Sequence, residues 1–243
     1  MRKSAVAAIF CLLLLSAGLQ AALVPVTSTD YIGSRTTPST SGVVASDGWD
    51  EANGGFKIAW DISFNATTNL WTYVYTLSDK NGSIPASPSV SHFMIEVSDT
   101  FTSANVFAGS TGGYELNGYG GSGWNASNPC TATNPGGNPC LPGSGFVKGL
   151  KWDQTTATLV TDRAPVWGDF YAKDGTPKSG VVATAWNLGF GTDPSGSVFT
   201  NWIPTPDTTS FPPNVIPEPA TVMLLGTVAL VLSQVIRKRM AAQ

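Results

Sequence analysis

His92 is the only imidazole among 243 residues, so a histidine-rich metal site is excluded and any Ser-His-Asp arrangement would have to use it. It alternates with Phe93, Ile95 and Val97, which places it opposite an apolar strand face, beside Met94 and Glu96. There it is expected to be a surface histidine near a carboxylate. Glycoside hydrolysis needs two facing carboxylates, and Glu51, Glu96 and Glu115 are the glutamates available for it. Nothing in their spacing brings two together, so they read as solvated surface acids. Asp47-Gly48-Trp49-Asp50-Glu51-Ala52-Asn53 gathers oxygen ligands as a calcium loop would, with Asp47, Asp50 and Glu51 as candidates, but it lacks EF-hand spacing. Trp60 and Trp71 read as core. Trp124, in a glycine-rich stretch, is the tryptophan best placed to stack on a sugar. No cofactor is expected.

The elements that would carry these residues are strands. In Phe56 to Phe64 the large apolar residues fall on every second position, and Trp71, Tyr73, Tyr75 and Leu77 repeat the pattern after a polar hairpin loop, Asn65 to Asn69. Further strands are predicted over 146–152, 155–161, 166–172, 181–190 and 198–203. With no helical period before Ala220, the chain reads as all-β: an antiparallel β-sandwich or jelly-roll-like domain over 23–203. The alternation fails between Asp99 and Gly145, where glycines crowd, and that stretch reads as a long insertion loop. The Pro- and Thr-rich residues 204–216 read as a stalk.

Both ends carry targeting chemistry. Arg2 and Lys3, the apolar stretch Ala5 to Leu15, and small residues through Ala22 have the order of a secretory signal peptide, residues 1–22. At the other end, an apolar run without ionised side chains, Ala220 to Ile236, precedes Arg237-Lys238-Arg239. A helix over that run satisfies its own backbone in lipid and reaches roughly 25 Å, a little short of the usual bilayer core. The basic cluster is a stop-transfer signal that keeps the C-terminus cytoplasmic. Without these ends, the exported part has eight basic against fifteen acidic residues, a net of −7. A chain with so few cations is a poor nucleic-acid ligand, because phosphate neutralisation needs clustered Lys and Arg.

Pro217-Glu218-Pro219, the apolar run and the basic tail together resemble the bacterial PEP-CTERM sorting signal, over about a tenth of the chain. Phrases such as Ser91 to Ser98 and Ala164 to Ala172 also resemble ectodomains that accompany this signal. The resemblance implies no catalytic role. It implies that the chain is a substrate of exosortase, a membrane-embedded cysteine protease or transpeptidase, in a Gram-negative bacterium that makes exopolysaccharide. Pro217, Glu218 and Pro219 would be the recognised residues. The expected protein is exported, held first at the inner membrane and then at the cell surface or in the matrix, where exopolysaccharide is a candidate partner. A carbohydrate-binding module and a secreted glycan hydrolase or lyase are the alternatives.

Cys130 and Cys140 remain once the leader and its Cys11 are removed. An even count in an exported chain is expected to form one disulfide, and two cysteines with no nearby histidine do not match zinc spacing. Alkylation of protein isolated from the periplasm or surface, without reduction, should therefore leave both thiols unlabelled; two labelled thiols would refute the bond.

Overall fold

The computed structural model describes residues 24–83, 89–120, 141–142, 146–174, 182–192, 194 and 199–206. The leader, Trp124, Cys130, Cys140, residues 207–216 of the stalk, and Pro217 to Gln243 lie outside the described residues. Among the described residues, no helix is long and apolar enough to cross a membrane.

What is described is all-β, with short 3-10 turns. The first six strands are β1 (Ile32–Thr36), β2 (Val43–Ala45), β3 (Lys57–Asn65), β4 (Leu70–Ser78), β5 (Val90–Glu96) and β6 (Glu115–Gly120). The remaining six are β7 (Phe146–Trp152), β8 (Thr156–Thr161), β9 (Pro165–Gly168), β10 (Phe170–Asp174), β11 (Thr184–Asn187) and β12 (Ile203–Pro206). They pair antiparallel into a four-stranded sheet, β1-β3-β4-β8, a six-stranded sheet, β2-β11-β10-β5-β7-β6, and a two-stranded sheet, β12-β9.

Alternation builds the core. Ile58, Trp60 and Ile62 of β3, Trp71, Tyr73, Tyr75 and Leu77 of β4, and Leu159 of β8 form one inner face. Phe93 and Ile95 of β5, Leu150 and Trp152 of β7, and Phe170 and Ala172 of β10 meet it from the other sheet in one apolar cluster, giving a β-sandwich-like arrangement. The β3–β4 hairpin is set locally: Asn65 Oδ1 accepts the N–H groups of Thr67 and Thr68, and Asn69 takes a positive φ of 57°. Polar atoms carried inward by aromatic rings find carbonyls. Trp60 Nε1 donates to Asp30 O at 2.8 Å, and the Tyr75 hydroxyl donates to Pro204 O at 3.0 Å, joining β4 to β12.

Five sequence expectations change, the first being that the strand expected over 181–190 is strand only over Thr184–Asn187 and turns from Leu188 to Phe190. The stretch 166–172 is two strands in two sheets, because the chain turns a corner at Asp169. The insertion 99–145 is not all loop: β6 lies within it and pairs along its length with β7. The strand expected over 198–203 begins only at Ile203 and runs into the expected stalk, so Pro204, Thr205 and Pro206 are buried strand residues. Proline is tolerated there because a two-stranded ladder leaves outer edges that need no donor. β1 and β2 are strands that the alternation did not mark.

The corner at Asp169 is held by buried polar groups. Asp169 Oδ1 accepts Asn187 Nδ2 at 2.7 Å and Oδ2 accepts Gly191 N–H at 2.7 Å. Asn187 Oδ1 takes the Phe170 N–H at 2.8 Å, and Glu96 Oε2 takes the Asp169 N–H at 2.8 Å. Gly168 is needed beside it, since a Cβ there would lie 2.4 Å from Thr205 Oγ1 and 2.9 Å from Glu96 Oε2. Asp169→Ala would remove the acceptor of the Gly191 N–H and one of the two acceptors of the buried Asn187 Nδ2. Denaturant titration should show a loss of roughly 3 kcal/mol; a change below about 0.5 kcal/mol, within the range of ordinary surface substitutions, would show that the corner holds without this carboxylate.

Candidate functional site

The six-stranded sheet has a second face, turned away from the shared core, and this face carries three buried ionisable side chains, His92, Lys151 and Lys173. Register fixes its rows. One runs Val44, Trp186, Tyr171, Met94, Lys151, Glu115 across β2, β11, β10, β5, β7 and β6. The next runs Thr184, Lys173, His92. Met94, Tyr171, Tyr119 and Val147 are buried here as a second apolar cluster, with Leu141, Trp186 and Phe190 partly buried against it.

The expectation that His92 is a surface histidine is overturned by this packing. It does stand opposite the Phe93 and Ile95 face, but its own face is covered, and the side chain is only 4% exposed. Nε2 has no hydrogen-bond partner among the described residues, while Nδ1 lies 3.4 Å from Ser91 Oγ. Burial first, then the positive charges of Lys151 and Lys173, push the imidazole down to about 3. It is neutral at any ordinary pH and is therefore a poor general acid.

Both lysines are themselves buried. Lys151 Nζ reaches Glu115 Oε2 at 3.1 Å and Asp153 Oδ1 at 3.7 Å, so its charge is balanced by carboxylates at the sheet edge. Burial lowers the Lys173 ammonium and the neighbouring Asp174 opposes the shift. Burial likewise raises the Asp174 carboxyl, against a hydrogen bond from the Ala183 backbone and the charge of Lys173. Taking such charges out of water is costly unless they are paired.

The other sequence candidates are dispersed. Glu96 serves the Asp169 corner, Glu115 pairs with Lys151, and Glu51 forms an ion pair with Lys80 on a different part of the surface. In the expected calcium loop, Asp50 Oδ1 accepts the Asn53 N–H at 3.0 Å and Asn53 Nδ2 at 2.7 Å, capping a 3-10 turn. The Asp47 carbonyl accepts Asn53 Nδ2 at 3.1 Å. These oxygens hold the loop together, and among the described residues no group of three His, Cys, Asp or Glu side chains stands together as metal ligands would. Trp60 and Trp71 are core, as expected from alternation.

Sequence reasoning missed Lys151, Lys173, Tyr171 and Trp186. The available signal was that in 146–152 and 170–174 lysine or tyrosine alternates with apolar residues, while β5 carries Met94 where a wet face would carry a polar side chain. Trp186 is distinctive for another reason. Of the seven described tryptophans, Trp49, Trp60, Trp71, Trp152, Trp167 and Trp202 are all buried, and only Trp186 keeps accessible surface. Compared with protein-family models, with curated proteins and with solved structures, the chain matches none.

The depressed imidazole has a stability consequence with a definite sign. The folded value of about 3 lies below the ordinary 6.5, so the unfolded chain binds the proton first. His92 thus contributes stability above pH 6.5, and that contribution shrinks as pH falls from 6.5 toward 3. Unfolding free energies measured from pH 7 to pH 5 should fall more steeply for the native chain than for His92→Gln, by up to about 1.4 kcal/mol per pH unit. Parallel curves would mean that His92 titrates normally.

Proposed function

We propose that this chain is an exported, non-catalytic surface or matrix protein, anchored by Ala220 to Ile236 as a transmembrane helix. Exosortase would sort it through Pro217-Glu218-Pro219. The observation that carries the reading is the order of parts at the C-terminus: a proline-bracketed glutamate, an uncharged apolar run, then Arg237-Lys238-Arg239. The prolines hold the chain extended just outside the bilayer, as a protease requires of its substrate, and Glu218 sets a charge there that keeps the site out of the lipid.

The folded domain supports a non-catalytic role. A hydrolase needs two carboxylates aimed into one cleft, whereas Glu96 accepts a backbone N–H at the Asp169 corner and Glu115 neutralises Lys151. The single imidazole is buried, and that burial disfavours its charged form. The β-sandwich-like fold, taken as jelly-roll-like, then acts as a rigid spacer and display surface, and exopolysaccharide is the partner that the sorting route implies. A second reading, a carbohydrate-binding module, is favoured by one observation, the partly exposed Trp186 on the outer face of the six-stranded sheet.

Intact-mass measurement of the protein from a host with exosortase should find wild-type chains that end near Pro217-Glu218-Pro219. Glu218→Ala should leave the chain full length in the membrane fraction. An intact C-terminus on the wild-type protein in such a host would defeat the proposal.

A further inference from the structure

We infer that the β2–β11 edge of the six-stranded sheet, centred on Trp186, is a binding surface for an uncharged polysaccharide. This deepens the glycan-binding reading above and rests on it for the class of ligand.

The surface is built by register. Trp186 sits opposite Val44 on the edge strand β2, and Val44 keeps part of its surface accessible. Leu188, two positions on, extends the same ladder by donating its N–H to Gly42 O at 2.9 Å, and its side chain is 45% exposed. Phe190 is partly exposed as well and packs with Trp186 against the buried Tyr171 and Met94. In the neighbouring row Ser46 Oγ and Thr184 Oγ1 lie 3.0 Å apart, both partly exposed, with the Thr184 N–H directed to Ser46 Oγ at 3.3 Å. An indole and two aliphatic side chains thus lie beside a pair of hydroxyls, and none of these groups carries a charge.

That combination fits a pyranose better than the alternatives. One face of a sugar ring presents axial C–H groups, which pack on the electron-rich face of an indole, while its equatorial hydroxyls need donors and acceptors at the side. Ser and Thr hydroxyls are both at once. Rigidity is supplied from one side, because Tyr171 and Met94, next along the same row, are buried and Trp186 packs against their cluster. Charge selects among glycans. The exported part carries a net −7 and Asp47 is exposed just beyond Ser46, so a polyanion would be repelled from this edge. Six of the seven described tryptophans are spent inside the core. The one left partly in water shares its edge with Leu188, one of three exposed large hydrophobic residues among those described.

The full-length chain in detergent should be examined by affinity electrophoresis in gels containing laminarin, hydroxyethylcellulose or galactomannan, with alginate as the polyanionic counterpart. Retardation is expected in at least one neutral polymer and not in alginate. Trp186→Ala should weaken it about ten-fold or more, the scale of losing one aromatic stacking platform. Trp186→Phe, which keeps a ring, should stay within a few-fold. If Trp186→Ala lowers the melting temperature, Leu188→Asp at its exposed position decides instead, and loss of retardation is again expected. No retardation in any neutral polymer, retardation in alginate alone, or unchanged retardation in a folded Trp186 or Leu188 variant would each overturn the inference. So would a wild-type dimer, seen by sedimentation, that Trp186→Ala dissociates, since the surface would then be covered by a second copy. Loss of binding in these variants with normal sorting, or normal binding in chains that are never sorted, separates failure of this site from failure of the export reading.

Discussion

The buried carboxylate of Asp169 is the constraint on which the rest of this fold depends. Between β9 and β10 the chain leaves the two-stranded sheet and enters the middle of the six-stranded one, with a single residue between them. Backbone groups at such a corner lose their ladder partners inside the protein, where an unmade hydrogen bond costs more than a made one returns. Asp169, Asn187 and Glu96 supply those partners from three different segments, and each acts on backbone that another holds: Glu96 on Asp169, Asn187 on Phe170 and on Asn201 O. The network is therefore both the hinge of the topology and the reason that Glu96, on the candidate face, is occupied.

A second tie joins the small sheet to the large core through a cation instead of a carboxylate. The Arg35 guanidinium lies 5.0 Å from the Trp60 ring centroid and 5.5 Å from that of Trp167, and Trp167 stacks on Phe199 at 5.4 Å. Its Nη2 donates to Phe199 O at 3.1 Å. The weakly hydrated, planar guanidinium can be sandwiched between rings in this way, which an ammonium cannot reproduce. Gly33, paired with Trp60 across β1 and β3, leaves the room, since a Cβ there would lie 2.7 Å from the indole. β1, β3, β9 and the turn before β12 are thereby clamped by one stack, and the tryptophans it uses are removed from any ligand.

Much of the fold was legible where strands bury one face. β3, β4 and β8 alternate over most of their length, and their boundaries follow to within a residue or so from that pattern and from the Asn65 to Asn69 turn. What was not legible has physical causes. A corner of one residue leaves no turn signature, so Val166 to Ala172 read as continuous. β1 alternates Gly33 and Arg35 inward, and its inner face is completed by Trp60 and Trp167 from elsewhere, which sequence spacing cannot reveal. Above all, the period-two rule assumes one wet face. The six-stranded sheet has none over much of its width, so His92 was placed in water when its face is in fact packed.

That second buried face also changes where function should be sought. An antiparallel sheet commonly keeps one side solvated, and here the outer side buries Tyr171, Met94 and two lysines instead. Charged side chains held out of water lower stability unless they are balanced, so Lys151 draws Glu115 and Asp153 toward the β6–β7 end, and that end is committed to ion pairing. The opposite end, at β2 and β11, has no buried lysine on its own two strands and no strand beyond it among the described residues. Accessible aromatic surface can persist there because neither strand has to bury a charge, and that edge is where Trp186 remains.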